Sequence, residues 1–195
     1  MELKNNVKTF YAKDRKDWRK WLEKNYAAEK SVRLIIYHKE SKTPSVYYAE
    51  AVEEALCFGW IDSTANKRDP DSFFLLFAQR KPKSNWSKIN SERAGRMIKQ
   101  KLMTEPGLAM IDLAKKSGTW TALENVEASI VPGDLQKLFD KNKMAFKNFK
   151  SFPPSSKRII FEWIMNAKKP ATRQQRIEQT VELAAKNIRA NHSRK

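Results

Sequence analysis

The chain has 195 residues, 41% of them hydrophobic and 11% aromatic, and a formal net charge of +17. So much large apolar surface excludes a disordered chain, and a single cysteine excludes an intrachain disulfide. The positive charge is concentrated, with +7 over residues 80–101 and +11 over residues 141–195, so the sequence is typical of a basic globular protein.

The first predicted elements are a helix and a strand. Asp14 is a suitable N-cap for a helix that places Trp18, Trp21 and Leu22 on one face. Residues 32–37 are β-branched, aliphatic and aromatic, which is typical of a strand in a protein core. Both patterns predict a buried apolar side, so the N-terminal region has its own core.

A second helix and a hairpin are predicted next. Ser45 is expected to open the helix, and Gly59 to end it. Residues 60–66 and 72–79 predict two strands, because the turn-forming residues 68–71 lie between them. The first eighty residues therefore predict an α+β unit with an antiparallel sheet.

From residue 87 onward the pattern predicts helices alone, and residues 135–149 are predicted to form a single one. The expected helix signals are Ser87, Thr104, Gly118, residues 131–133, the Pro153–Pro154 pair and a capping box of Thr172 with Gln175. We accordingly predict an α+β core with a helical extension over residues 1–128 and a helical module over residues 129–195.

The N-terminal residues lack the apolar core of a signal peptide, and no later segment approaches the roughly 20 apolar residues that a membrane span requires. We therefore expect a cytoplasmic protein without a membrane span. Cys57 lies in the apolar run of residues 55–58, so we expect a buried thiol that is a poor nucleophile.

Motifs for metal, nucleotide or acyl chemistry are missing from the sequence. His38 and His192 have no ligand-type residue at metal-binding spacing, and five glycines form neither phosphate-binding motif nor nucleophile elbow. We expect no metal and no cofactor, and the sequence favours a non-catalytic protein over an enzyme. The acidic residues Glu50, Glu53 and Glu54 are interpreted as a solvated helix face.

A dense polar stretch, residues 80–90, combines cations, amides and hydroxyls around one tryptophan. Such a segment at a helix N-terminus can hold an anion or stack on an aromatic ligand. It can equally cap the helix while the indole fills the joint between sheet and helices. The candidate binding residues are Trp60, Asp62, Arg80, Lys81, Asn85, Trp86, Ser87 and Asn90.

Three segments carry a family resemblance: residues 54–63 (EALCFGWIDS), 80–90 (RKPKSNWSKIN) and 103–107 (MTEPG). Together with residues 118–120, 152–158 and 167–173, they resemble the YdeI/OmpD-associated (OmdA) family, also called bacteriocin-protection proteins. The resemblance implies a link to envelope stress and resistance to cationic peptides, with no agreed catalytic activity, ligand or cofactor. Here Ala78 and Gln79 stand where the family tends to have Thr-Pro before Arg80.

Three functions remain open on the sequence. The preferred one is a non-catalytic stress or resistance factor that binds an anionic or aromatic small ligand, or a protein partner, in a groove between sheet and helices. The second is nucleic-acid binding through Lys168, Lys169, Arg173 and Arg176. The third is a small-molecule enzyme with Asp62 as acid or base beside Arg80.

Overall fold

A computed structural model describes residues 3–4 and 6–192. The chain forms two compact units, residues 1–121 and residues 122–195. The domain division predicted after residue 128 stays a prediction. None of the helices in the described residues is long and apolar enough to cross a membrane.

The N-terminal unit has a sheet of strand order β1-β2-β3-β5-β4 and four helices among its described residues. The strands are β1 (Leu3–Lys4), β2 (Val7–Tyr11), β3 (Ser31–Tyr37), β4 (Trp60–Lys67) and β5 (Ser72–Gln79). The helices are α1 (Arg15–Asn25), α2 (Tyr48–Cys57), α3 (Lys88–Lys99) and α4 (Glu105–Ser117). The predicted α+β class is confirmed.

The sheet is mixed, which corrects the expectation of an antiparallel sheet. β4 and β5 form the predicted hairpin, and β3 pairs antiparallel with β5. β2, which the sequence pattern did not predict, pairs parallel with β3. The parallel pair arises because α1 separates these two strands and returns the chain to the same end of the sheet.

The helix starts follow local hydrogen bonding. Asp14 caps α1 as predicted, since its carboxylate accepts the N–H of Asp17 at 2.8 Å. Ser45 does not open α2, because its hydroxyl accepts the N–H of Tyr37 instead (3.1 Å). α2 begins two residues later, after Tyr47, whose N–H donates to the Glu50 carboxylate at 3.2 Å.

The starts of α3 and α4 and the end of α4 lie where the sequence placed them. The Ser87 hydroxyl accepts the N–H of Asn90 at 3.3 Å and thereby caps α3. Thr104 is the N-cap residue of α4. Gly118 ends α4 with φ of 74°, a left-handed conformation that glycine adopts at little cost.

The core of the N-terminal unit lies between the sheet and the helices α1 and α2. Trp18, Trp60 and Phe77 are fully buried there, and Trp18 stacks on Trp21 with ring centroids 5.2 Å apart. Cys57 is buried as predicted, and burial raises the pKa of its thiol to about 11. A thiol with such a high pKa is a poor nucleophile at neutral pH.

The C-terminal unit is helical throughout its described residues. It contains α5 (Glu124–Glu127), α6 (Gly133–Lys141), α7 (Lys143–Ser151), α8 (Pro154–Met165) and α9 (Pro170–Ala185). Its core is built mainly from aromatic and branched aliphatic side chains: Leu135, Phe139, Phe149, Phe161, Ile160, Ile164 and Ile177.

Two helix boundaries in this unit differ from the predictions. The single helix expected over residues 135–149 is divided at Asn142, whose backbone is not helical (φ −132°, ψ 83°) and whose side chain caps α7. The predicted capping box of Thr172 is wrong, because α9 already begins at Pro170. Proline suits this first helical position because it has no N–H to leave unpaired.

Candidate functional site

Arg80 directly follows β5 and lies beside the start of β4. Its N–H donates to the carbonyl of Gly59 at 2.9 Å, one step beyond the pairing of Trp60 with Gln79. The side-chain amide of Gln79 donates to the carbonyls of Tyr26 and Glu29 (3.0 and 3.1 Å). These bonds fix the end of β5 without the proline that the resemblance led us to expect.

The guanidinium of Arg80 is buried and only partly hydrogen-bonded. The residue is 6% exposed, and its Cζ lies 3.9 Å from the ring centroid of Trp86. Nη2 donates to the carbonyl of Asn85 at 2.6 Å. Nε and Nη1 are closed to solvent and have no hydrogen-bond partner among the described residues. Buried polar atoms are normally paired, so two unpaired nitrogens on one cation are a notable exception.

The electrostatics of Arg80 follow from this burial. Desolvation lowers the pKa of its guanidinium to about 10, and the charge of Asp62 opposes that shift. Among the described residues, no carboxylate lies within ion-pair distance of Arg80. Asp62 instead accepts the hydroxyl of Tyr48 at 2.9 Å. Arg80 is therefore a buried cation that interacts electrostatically with Asp62 without forming an ion pair with it.

Trp86 supports Arg80 and offers no open face. It is 2% exposed, and its backbone N–H donates to the carbonyl of Thr119 at 3.0 Å. Its ring lies 4.8 Å from that of Trp120, which carries the ammonium of Lys115 at 5.6 Å. The two indoles thus form a tilted pair, at an angle of 45°, and each ring carries a cation.

The other predicted residues are spread around this core. Trp60 is fully buried and donates its indole N–H to the carbonyl of Tyr26 at 3.1 Å, so it lies in the hydrophobic core. Lys81 is exposed to solvent. Ser87 serves as the cap of α3. The structure therefore brings together Arg80, Asn85 and Trp86, with Asp62 nearby, and leaves Trp60 and Lys81 outside the cluster.

Two further residues join the polar cluster and were missed in the sequence. The hydroxyl of Tyr48 donates a hydrogen bond to Asp62. Burial raises the pKa of this hydroxyl, and the negative charge of Asp62 raises it further. Arg93 lies over the ring of Tyr48, 5.7 Å from its centroid, and donates to the Asn90 side chain at 3.1 Å. The spacing of Asn90 and Arg93, three residues apart on a helix, was the available signal.

A second group of charges corrects the interpretation of the glutamates as a solvated face. Glu54 is 2% exposed and accepts hydrogen bonds from Arg15 and Arg19, both at 2.6 Å. Glu53 pairs with Arg15 at 3.1 Å and with Arg96 at 3.0 Å. These carboxylates join α1, α2 and α3, because each pairs with guanidinium groups of neighbouring helices.

The four cations proposed for nucleic-acid binding divide into two pairs. Arg173 binds Asp134 through Nε and Nη2 at 2.6 and 3.1 Å. Arg176 donates to the carbonyl of Trp163 and lies 5.0 Å from the centroid of its ring. Lys168 and Lys169 are both exposed to solvent. Two of the four proposed cations, Arg173 and Arg176, thus already bind other groups of the C-terminal unit.

Neither metal nor acid–base chemistry gains support from the geometry. The described residues contain no group of three or more His, Cys, Asp or Glu side chains that could hold a metal ion. Asp62 and Arg80 do not form a hydrogen-bonded pair in the part of the chain that the structure describes. The enzymatic alternative is therefore not favoured.

These features define an α+β protein with a buried, incompletely paired arginine, followed by a helical unit. Residues 10–110 match a family described as a domain of unknown function (DUF8412), and residues 128–187 match the family described as bacteriocin-protection, YdeI or OmpD-associated. The chain therefore belongs to the DUF8412 family over just over half of its length, and it carries a YdeI/OmpD-associated domain over residues 128–187, which confirms the resemblance. Comparisons with curated proteins and with solved structures give no match.

Proposed function

We propose that this protein is a non-catalytic resistance factor of the cytoplasm that binds an oxyanion, a carboxylate or phosphate group, at Arg80. The observation that carries the proposal is the pair of buried, unpartnered nitrogens on that guanidinium. A buried charge without a partner costs several kcal/mol, on the order of 3 or more. An anion that reaches the guanidinium recovers part of this cost, so binding energy is available at this position.

The shape of guanidinium narrows the ligand. Nε–H and Nη1–H point from different edges of the planar group, so they require at least two acceptor atoms. Carboxylates and phosphates present several oxygens and make strong charge-assisted bonds with arginine. Because both nitrogens are closed to solvent, a ligand can reach them only after a local movement of the groups that cover them.

The biological role is proposed from the description of the matched family, which names bacteriocin protection. The net charge of +17 opposes direct capture of cationic peptides, because like charges repel. We therefore propose an indirect role, in which the protein binds a small anion of the cell and this binding contributes to resistance.

The binding proposal is tested by a thermal-shift screen of small carboxylates, sugar phosphates and nucleotides. A ligand of the native state raises the melting temperature by several degrees when it is present at about 100 times its Kd. Arg80→Met should abolish that rise, whereas Lys83→Ala removes an exposed charge from the same segment and should keep it. Equal shifts in wild type and Arg80→Met would reject Arg80 as the site.

The resistance role is tested separately in cells. A strain that lacks the protein should become more sensitive to a cationic antimicrobial peptide, and wild type and Lys83→Ala should restore growth. Arg80→Met should fold and fail to restore it. Full rescue by Arg80→Met would separate resistance from the arginine site, even if the binding proposal held in vitro.

A further inference from the structure

A second candidate site lies on the N-terminal unit, between the end of β3 and the start of α2. It is a cleft with a volume of about 670 Å³, which falls within the usual range for small-molecule sites. Most of the side chains that line it are aromatic or basic. The side chains that carry the argument are Tyr37, His38, Lys39, Tyr47, Tyr48 and Phe73.

Each of the three tyrosines of the cleft has a cation over its ring. The ammonium of Lys39 lies 6.0 Å from the ring centroid of Tyr47. The guanidinium of Arg68 lies 5.9 Å from that of Tyr37. Arg93 lies 5.7 Å from Tyr48, as described above. The rings are therefore already engaged by cations of the protein, which makes them poor partners for a cationic ligand.

Three carboxylates near the cleft are engaged elsewhere, and Glu40, which follows Lys39 in the chain, is exposed to solvent. None lines the cleft itself. Asp69 pairs with Arg68 at 3.3 Å, and Glu50 accepts the N–H of Tyr47. The third nearby carboxylate, Asp62, accepts the Tyr48 hydroxyl. Lys39 is the charged side chain among those that line the cleft, and its ammonium favours a negatively charged group over a positive one.

We propose that this cleft binds a small aromatic anion of the aryl carboxylate class. The aromatic body packs against the tyrosine rings and Phe73, and the carboxylate is held by Lys39 with His38 beside it. Tyr47 is 56% exposed, so a ligand can cover its ring without unfolding any part of the core. This proposal does not depend on Arg80, which does not line the cleft.

The experiment is calorimetric titration of the full chain with 2-naphthoate. Three probes separate charge from shape: 2-naphthoate, 2-naphthylmethylamine, which reverses the charge, and cyclohexanecarboxylate, which removes the aromatic ring. We expect 2-naphthoate to bind at least about tenfold more tightly than either of the others. Equal or tighter binding of the amine, or no binding of 2-naphthoate at millimolar concentration, would overturn the proposal.

Variants then locate the bound probe. Lys39→Ala and Tyr47→Ala should each weaken 2-naphthoate binding by about fivefold or more. Lys42→Ala is the matched control, since Lys42 is an exposed lysine three residues away that does not line the cleft. Equal losses in Lys39→Ala and Lys42→Ala would show non-specific attraction and reject the site. Loss of binding in Arg80→Met with full binding in Lys39→Ala would assign the probe to the other site.

Discussion

Two buried charges in the N-terminal unit have opposite surroundings. Glu54 is 2% exposed and is held by Arg15 and Arg19, each at 2.6 Å. Arg80 is 6% exposed and has one backbone carbonyl as its only hydrogen-bond acceptor among the described residues. The first charge is compensated within the fold, and the second is not. The difference separates a charge that joins helices from one that we propose as a ligand-binding group.

The largest expected effect tests the paired charge. Glu54→Ala leaves two guanidinium groups without their shared carboxylate, and should destabilise the protein by about 3–5 kcal/mol. Urea denaturation followed by circular dichroism measures this loss. Arg158→Ala removes an exposed i,i+4 pair with Glu162 and is the control, with an expected loss below about 0.5 kcal/mol. If Glu54→Ala lost as little stability as Arg158→Ala, the two arginines would not depend on Glu54, and the interpretation of Glu54 as a compensated buried charge would be wrong.

The second prediction tests the unpaired charge, and here the substitution is expected not to destabilise the protein. Arg80→Met removes a desolvated cation and keeps an apolar side chain against Trp86, at the loss of the bond to Asn85. We expect the ligand-free protein to gain up to about 2 kcal/mol in free energy of unfolding, or to stay within about 0.5 kcal/mol of wild type. A loss above about 2 kcal/mol would show that the arginine serves the fold, as Glu54 does.

Comparison with the sequence predictions shows which of these features were readable in advance. The caps Asp14, Ser87 and Gly118 were predicted correctly because each depends on bonds within a few neighbouring residues. β2 was missed because it buries only Thr9 fully, so it lacks the apolar pattern of a core strand. Its parallel partner lies beyond α1, and such pairing leaves no local signal.

The candidate site was predictable in part for the same reason. The stretch from Arg80 to Asn90 was recognisable by its composition, and Asn85 and Trp86 do contact Arg80. The burial of the guanidinium was not, because it depends on Trp86 being buried and on where distant carboxylates lie. Glu54 was interpreted as solvated because its partners lie 35 and 39 residues away.

The third prediction follows the cost of the unpaired charge with pH. The pKa of Arg80 is lower in the folded chain, about 10, than in the unfolded chain. The unfolded chain thus binds the proton more tightly, so the cost is fully present below about pH 10 and falls as the pH rises further. Any stability advantage of Arg80→Met over wild type should therefore shrink between about pH 8 and about pH 11. If the stability advantage of Arg80→Met grew over this pH interval, the pKa of Arg80 would not be lowered by folding.

The smallest expected effect moves the comparison to the C-terminal unit, where Arg173 pairs with Asp134 at a partly exposed position. The hydrogen bond from Arg173 lowers the pKa of the Asp134 carboxyl. The pair therefore stabilises the folded chain fully at pH values above the ordinary carboxyl pKa. This stabilisation is lost as the pH falls through the pKa that Asp134 has in the folded chain. Arg173→Met should cost about 1 kcal/mol at neutral pH.

Denaturation of the Arg173→Met variant and wild type at neutral and acidic pH measures this contribution. The two unfolding free energies should converge as the pH falls through the lowered pKa of Asp134 in the folded chain, because protonated Asp134 no longer attracts the guanidinium. A gap that persists at low pH would assign the loss to packing of the arginine stem. If the gap closes, the charge of Arg173 is compensated within the fold, as that of Glu54 is. Arg80 differs from both, because it is a buried cation without an ion-pair partner among the described residues.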